Sequence, residues 1–259
     1  MIIAVVNHAR RTIHDDELQN VLRAINRQIE GDFAAHWDVT ATLRLEGRTR
    51  VRPSIPGATE IDGDAVLYLW DGGESDDALG YHDLCNRGTP YGFVFPLLSK
   101  EMGEHWSVTL SHEALELIGD PEANLVTMGP HPKQRGRDVF HWREMCDAVQ
   151  AERYVIDGVA VSNFVLPLYF TRREEIGSRN DFLGGLHAGR SLRSFGVNPG
   201  GYVGFYDPVL RDSTTFEADE LAARRQRIKD RMGGARRGIR YRHFQMGAVT
   251  PAARRASRA

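Results

Sequence analysis

Hydrophobic and polar positions follow the periods of strands and helices along the first half of the chain. Continuous apolar runs rich in β-branched residues predict buried strands at residues 2–6 and 64–70, and an alternating run predicts a half-buried strand at 39–45. After the first strand, acidic residues open a stretch with apolar residues at helical spacing. This pattern predicts a long amphipathic helix that ends between Gly31 and Trp37. Its apolar stripe comprises Leu18, Val21, Leu22, Ile25, Ile29 and Phe33.

Two short strands and a second helix complete this half. The strands are predicted at residues 79–84 and 91–96, and the prolines that flank the second favour an edge position in the sheet. Residues 106–119 predict a helix that stops at Gly119 and cannot continue through Pro121. The order of elements predicts an α/β (α+β) fold class, with helices packed on a mixed, mostly parallel sheet that has an antiparallel edge strand.

Beyond residue 124 the pattern loosens into an irregular, loop-rich part. Residues 138–149 predict a strand followed by a turn or short helix, and residues 154–167 predict a hairpin that turns at Asp157-Gly158. A Gly-rich stretch predicts loops with a short strand at 202–206, and the composition of residues 217–232 favours a helix. The chain is therefore divided into regions 1–124, 125–210 and 211–259, the last being a basic tail that is helical or partly disordered.

Composition adds constraints on class and compartment. The chain has 259 residues, of which 41% are hydrophobic and 26% charged, and these values are typical of a globular protein. No apolar run approaches the roughly 18 residues of a membrane helix. Basic residues follow the apolar N-terminal run, which predicts a strand there and not a signal peptide. Cys85 and Cys146 could form one disulfide but are too few for a framework, and both are interpreted as reduced thiols of a cytoplasmic protein.

Charge is distributed unevenly along the chain. The formal net charge of −2 argues neither for nor against binding to nucleic acid. From Arg224 onward, however, the sequence is strongly basic, and Asp230 is its one acidic residue. This pattern predicts a solvated, partly disordered tail or, alternatively, a segment that contacts an acidic partner or a neighbouring subunit.

A chemical pattern lies on the predicted helix at 106–119. His112 and Glu116 are four residues apart, so they lie one turn apart on the same face and can converge on one metal ion. An imidazole and a carboxylate suit zinc, although manganese or iron would also accept them. Glu113 lies beside His112 at the edge of that face. The alternative is an exposed His-Glu-Glu face without a chemical role, because so short a pattern is common by chance.

This pattern resembles the HExxH signature of zinc hydrolases, with Glu116 at the position of the second histidine. The element order over residues 1–124 also resembles the N-terminal subdomain of the zincin metallopeptidases, in which an edge strand lies over the active-site helix and pairs with extended substrate. The resemblance implies a zinc cofactor, with Glu113 as the general base that polarises the metal-bound water. A carboxylate at position 116 makes a bound metal less electrophilic than a second imidazole would.

The sequence leaves the third metal ligand open. Glu144 is preferred because, with an acidic residue following it, it resembles the downstream glutamate of the gluzincins. Asp120 comes second, since on a straight helix it lies about 12 Å along the axis from His112 and reaches the metal only if the chain turns at Gly119. Glu122 comes third, at the spacing of the last ligand in an extended form of the motif. Further candidates without a spacing argument are His82, His131 and His141.

Four segments taken together resemble a group of uncharacterised bacterial and phage-associated proteins that have no established activity. The segments are Gly80–Leu84, Ser111–Pro121, Glu144–Val149 and Val161–Pro167. The resemblance covers most of residues 1–206 and implies that their acidic and imidazole side chains form one site. Its members would be His112, Glu113, Glu116, Asp120, Glu144 and Asp147.

Taken together, these observations predict a zincin-like, zinc-dependent hydrolase of the metallopeptidase or amidase type, with a peptide or protein as substrate. Glu113 would be the catalytic base. The metal ligands would come from His112, Glu116, Asp120 and Glu144. The alternative, from another functional class, is a non-catalytic zincin-like module that binds a partner or builds an assembly. Its carboxylates would then form a structural cluster with arginine side chains or with a hard cation.

Overall fold

The computed structural model describes residues 1–46, 63–71, 80–84, 88–172 and 178–220. Within these ranges the chain combines helices with several sheets, which confirms the α+β class at this coarse level. The strands of the first sheet are β1 (Ile2–Asn7), β2 (Thr42–Leu45), β3 (Ala65–Leu69), β4 (Gly80–Leu84) and β5 (Pro90–Val94). They lie in the order β2-β1-β3-β5-β4, with β4 antiparallel to β5 and the other pairs parallel.

Helices accompany this sheet. They are α1 (Asp15–Arg27), α2 (Ala34–Trp37), α3 (Pro96–Glu101) and α4 (Trp106–Gly119), and a π-helical segment (Gln28–Phe33) joins α1 to α2. Of these, α1 and α4 pack against the sheet. Acidic residues occupy the first turn of α1, where the positive end of the helix dipole stabilises their negative charge. The predicted long helix ending between Gly31 and Trp37 is confirmed, with a π-helical irregularity that the apolar spacing did not indicate. The bounds of α4 are those predicted from sequence.

The edge strand is not the one predicted. The prolines around residues 91–96 favoured an edge position, but β5 is paired on both sides, and β4 is the outermost strand among the described residues. Pro90 is tolerated because it is the first residue of β5, and Pro96 because it opens α3, where no intrahelical N–H bond is required. The edge strand that borders α4 is therefore Gly80–Leu84.

The second part of the chain forms an antiparallel sheet and a hairpin. Its strands are β6 (Val126–Pro130), β7 (Asp138–Trp142), β8 (Arg153–Ile156), β9 (Val159–Ser162), β10 (Tyr202–Asp207) and β11 (Asp212–Glu217). Four of them form a sheet in the order β11-β10-β7-β6, and β8 pairs with β9. The predicted hairpin turn is confirmed, because Asp157 and Gly158 have φ values of 49° and 80°, and a type I′ turn requires positive φ at both positions.

The first residues of the predicted tail, from position 212, form a strand. Residues 212–217 form β11 and not a helical or disordered segment, because they pair along β10 with Phe216 opposite Val203. The helix predicted at 217–232 lies outside the described residues beyond position 220, as does the arginine-rich segment from Arg224. None of the helices in the described ranges has the length and apolar character needed to cross a membrane.

α4 is buried on almost every side. Each residue from Trp106 to Ile118 is buried, because α4 packs between the first sheet and the β8–β9 hairpin. Its polar residues therefore need partners inside the protein. The Ser111 hydroxyl donates to Gln28 Oε1 at 2.6 Å and accepts from the Ser162 backbone N–H at 3.1 Å. These bonds fix the rotation of α4, which in turn determines where its ionisable side chains point.

Candidate metal centre

α4 carries three ionisable side chains into the protein interior. His112, Glu113 and Glu116 are only 7%, 5% and 3% exposed. The Nε2 atom of His112 lies 3.1 Å from Glu116 Oε2, as the four-residue spacing predicted. The alternative of an exposed His-Glu-Glu face is therefore wrong. Ionisable groups this deeply buried are costly unless they are paired or coordinate a metal, so this face requires partners.

The edge strand β4 brings a second histidine to this face. His82 is 4% exposed. Its Nδ1 atom lies 3.6 Å from Glu113 Oε2 and 3.8 Å from Glu116 Oε2. Its Nε2 atom lies 3.7 Å from Glu144 Oε2. His82 therefore sits among three carboxylates that come from α4 and from the loop after β7.

Side-chain alternation along β4 explains the position of His82. Tyr81 belongs to the aromatic cluster on the far side of the sheet, where it stacks on Phe93 with ring centroids 5.5 Å apart. Gly80 and His82 consequently share the face toward α4. Gly80 permits the close approach, because a Cβ atom there would lie 2.6 Å from Glu113 Oε1. Tyr81, between Gly80 and His82, is the sequence signal that could have identified His82 as a site residue, because alternation puts His82 on the opposite face from this aromatic side chain.

The loop after β7 closes the other side of the centre. Asp147 Oδ1 lies 3.3 Å from His112 Nε2. The backbone N–H of Cys146 donates to Glu116 Oε1 at 3.0 Å, and the Cys146 thiol lies 3.8 Å from the His112 carbonyl oxygen. Cys146 is fully buried. Sequence reasoning treated it only as a reduced thiol, because no spacing rule connects a loop cysteine to a helix 30 residues earlier.

Burial and neighbouring carboxylates act in opposite directions on the two imidazoles. Burial lowers the pKa of His82, but the surrounding carboxylates, Glu144 foremost, outweigh it and raise that pKa to about 9. For His112, burial again lowers the pKa, while Glu116 and Asp147 raise it well above its usual value. The site therefore attracts positive charge strongly, whether as protons or as a cation.

On the loop side of the centre, a thiol and a phenol have raised pKa values in the absence of a metal. Burial, and then the charge of Glu116, raise the pKa of the Cys146 thiol well above its usual value. Burial also raises the pKa of Tyr202, and the carboxylate of Asp147, with which the phenol forms a hydrogen bond, raises it further. The thiol and the phenol are therefore neutral in the metal-free protein.

Most of the residues that the sequence grouped into one site are brought together. These are His112, Glu113, Glu116, Glu144 and Asp147. Asp120 instead follows the C-terminal end of α4, where its Oδ2 accepts from the Leu125 N–H at 2.8 Å. Glu122 is exposed and accepts a hydrogen bond from Asn124. His131 stabilises a loop turn through its Nδ1 atom, and His141 contacts the Pro130 carbonyl at 2.9 Å.

The donor set fits a divalent cation. Two overlapping groups in the described part of the chain have ligand atoms within 4.8 Å of one another: His82, Glu113 and Glu116, and His112, Glu116 and Cys146. Imidazole, carboxylate and thiolate are the ligands that zinc takes in proteins. Glu113 Oε2 is buried and lies 3.6 Å from His82 Nδ1, beyond a normal hydrogen-bond length, so this oxygen has capacity for a further partner. Glu116 belongs to both groups and is the centre of the arrangement.

Comparison with known proteins adds no identification. The chain matches no protein-family model, no curated protein and no solved structure. The resemblances suggested by the sequence therefore stay predictions. Function has to be argued from the geometry of the described residues.

Proposed function

We propose that the protein is a zinc-dependent hydrolase of the metallopeptidase type that cleaves an amide bond in a peptide or protein. The observation that carries the proposal is the buried convergence of His112 and Glu116 with further donors around them, while Glu113 lies beside them. A buried group of this kind is costly to maintain without a bound ion or a protonated partner. Catalytic sites are among the places where such costs are retained.

His112 and Glu116 would hold the cation, with a further donor from the loop side, where Cys146 and Asp147 both lie close. When bound, zinc lowers the pKa of its water to near neutrality and polarises a substrate carbonyl. The carboxylate of Glu116 reduces that effect relative to a second imidazole. The base would therefore carry more of the reaction than it does at a site with two histidines on the helix.

Glu113 is suited to be that base. Its Oε2 atom lies 3.6 Å from His82 Nδ1, an ion-pair distance longer than a normal hydrogen bond, so it can still accept a proton from the attacking water. As the water oxygen bonds to the carbonyl carbon, Glu113 takes the proton and later delivers it to the leaving nitrogen. A narrow cavity reaches this carboxylate and is lined also by Gly80, His112 and Gln150. Water can therefore approach Glu113 from outside the protein core.

The placement of β4 supports a peptide as the substrate. β4 is antiparallel, pairs with β5 along one side and is the last strand of the sheet as described. The zincin resemblance implies an edge strand of this kind over the active-site helix. An extended peptide adds to such an edge through main-chain hydrogen bonds, which give affinity without requiring a particular sequence.

One observation favours the non-catalytic alternative. The carboxylates around His82 raise its pKa to about 9, so the cluster can be satisfied by a protonated imidazole without any metal. The protein would then be a binding or assembly module whose interior holds a structural ion-pair cluster. Metal content separates this alternative from the hydrolase.

The test begins with elemental analysis of protein purified without added chelator. The proposal expects stoichiometric zinc, its loss in His112→Ala, and turnover of a peptide library that chelator abolishes and zinc restores. His131→Ala is the matched control, because His131 lies in a surface loop and should retain both zinc and turnover. A metal-free protein whose thermal stability responds neither to chelator nor to His112→Ala would overturn the hydrolase and favour the structural cluster.

A further inference from the structure

We infer that Cys146 is a ligand of the bound metal, so that His112, Glu116 and the Cys146 thiolate together make the site selective for zinc. This inference rests on the proposed function, because it assumes that His112 and Glu116 hold a cation. It assigns the third donor to a residue that no helix spacing identifies. It also predicts which metal the site prefers.

Geometry supports the assignment first. Cys146 is the residue whose sulfur lies within 4.8 Å of ligand atoms of both His112 and Glu116, and those two atoms also lie within 4.8 Å of each other. Zinc–sulfur bonds are about 2.3 Å and zinc–nitrogen bonds about 2.0–2.1 Å, so small side-chain shifts would suffice for all three donors to reach one ion. The thiol is fully buried, and a closed environment of this kind protects a metal–thiolate bond from solvent.

The backbone around Cys146 is held against α4 by specific contacts. Its N–H donates to Glu116 Oε1, so the carboxylate that would bind the metal also positions the cysteine. Met145 packs over Gly119, where a Cβ atom would lie 2.2 Å from the methionine methyl group. The Met145 carbonyl accepts from the Val165 N–H at 2.7 Å. The thiol is thus fixed next to His112 before any metal arrives, which lowers the cost of ordering the ligands.

The other acidic candidates are placed for different roles. Asp147 Oδ1 lies 3.3 Å from His112 Nε2, but Asp147 lies outside both groups of donors whose ligand atoms converge within 4.8 Å. Glu144 faces His82 Nε2, on the edge-strand side of Glu116. The Asp120 carboxylate accepts from the Leu125 N–H beyond the end of α4. The thiol is therefore the donor that completes the set around His112 and Glu116.

The charge of the three ligands and the softness of the thiolate then favour zinc as the bound metal. One carboxylate, one thiolate and one neutral imidazole balance a dication to a formal charge of zero, which favours a buried site. The thiol and the imidazole of His112 both release a proton to solvent when sulfur and nitrogen bind the cation. Thiolate ligands select zinc over magnesium, calcium and manganese, which prefer oxygen donors. A buried cysteine that acted only as a small hydrophobic residue would confer no such preference.

Cobalt substitution provides the direct test. The full-length protein is stripped of metal and titrated with Co²⁺, and the absorption spectrum is recorded for the wild type, Cys146→Ser and Cys85→Ser. A cysteine ligand gives an intense sulfur-to-cobalt charge-transfer band in the near ultraviolet. We expect this band in the wild type and in Cys85→Ser, the matched control, and its loss in Cys146→Ser. Zinc affinity of Cys146→Ser should fall by more than about 100-fold, since even outer partners of a ligand cost 10–100-fold.

The outcomes separate this inference from the proposed function. Cobalt that binds with visible d–d bands but without a charge-transfer band in the wild type overturns Cys146 as a ligand and leaves the metal site intact. Failure of the wild type to bind cobalt or zinc at all overturns both. If Cys146→Ser does not fold, the band in the wild type and in Cys85→Ser still decides, because Cys85 and Cys146 are the two cysteines of the chain. A band lost in Cys85→Ser instead would contradict the assignment.

Discussion

Glu116 separates two sides of the centre that differ in chemistry and in access to solvent. On the edge-strand side lie His82, Glu113 and Glu144, and the Glu144 side chain is 30% exposed. On the loop side lie His112, Asp147 and Cys146, all buried. The first side is rich in groups that exchange protons and reaches solvent through Glu144. The second includes a sulfur donor, and its thiol is fully buried. The difference matches two tasks of the proposed reaction, proton transfer at an accessible face and ligand fixation in the interior.

Glu113→Gln should produce the largest effect and should separate the two sides cleanly. A neutral amide cannot accept the proton of the attacking water, so kcat/KM should fall by about 10²–10⁴-fold, the usual contribution of a general base. Bound zinc should stay near one equivalent, because the loop-side donors are untouched. Glu122→Gln, an exposed glutamate just beyond α4, is the control and should retain full turnover. Unchanged turnover in Glu113→Gln would show that Glu113, on the edge-strand side, is not the general base.

The pH dependence of the metal-free protein should report both imidazoles, because the pKa of His112 is also raised, and His82→Asn isolates the share of the edge-strand side. Folding raises the pKa of His82 from 6.5 to about 9, so its stabilising contribution is complete below pH 6.5 and is lost as the pH rises through about 9. The loss should be of order 3 kcal/mol in the free energy of unfolding. Urea unfolding in chelator at pH 6 and pH 9.5 measures it, and His82→Asn should give a shallower dependence.

Zinc should reverse the loss of stability that the metal-free protein shows as the pH rises. A cation competes with protons for the same side chains, so its stabilising effect should grow across the pH interval in which the metal-free protein weakens. The same unfolding measurements with excess zinc test the reversal. If the free energy of unfolding falls equally with and without zinc as the pH rises, zinc does not bind at the cluster around Glu116.

The two sides also differ in how far sequence could predict them. α4 and its His112–Glu116 pair follow from local periodicity, and both are found as predicted. The partners of that pair are distant in the sequence. His82 lies on a strand, and side-chain alternation indicates only the face of the sheet on which it lies. Cys146 lies in a loop, where no periodic pattern indicates its position. The edge strand was assigned wrongly because a proline at a strand start satisfies the same rule as a proline at a sheet edge. Local patterns identified one half of the centre, and tertiary contacts supply the other.

Gly80→Ala should disturb the edge-strand side by a smaller amount. The added Cβ would meet the Glu113 side chain at 2.6 Å, and the buried carboxylate has little room to move. Overpacking of this kind costs about 1–3 kcal/mol in the free energy of unfolding. Displacement of the base should lower kcat/KM by up to about 10²-fold while zinc stays bound. Gly31→Ala is the control, because a Cβ there meets nothing within 4 Å and turnover should not change.

Tyr202→Phe should have the smallest effect and addresses the loop side. Removing the phenol hydroxyl takes a hydrogen-bond donor from Asp147, which should destabilise the protein by about 0.5–1.5 kcal/mol. If Cys146 completes the ligand set, Asp147 acts at most through His112, and zinc affinity should fall by no more than about tenfold. Tyr206→Phe, on the same strand, is the control, and isothermal titration with zinc measures both variants. A gain in zinc affinity in Tyr202→Phe would mean that the released Asp147 carboxylate binds the metal itself, and the loop side would then contribute oxygen and not sulfur to the centre.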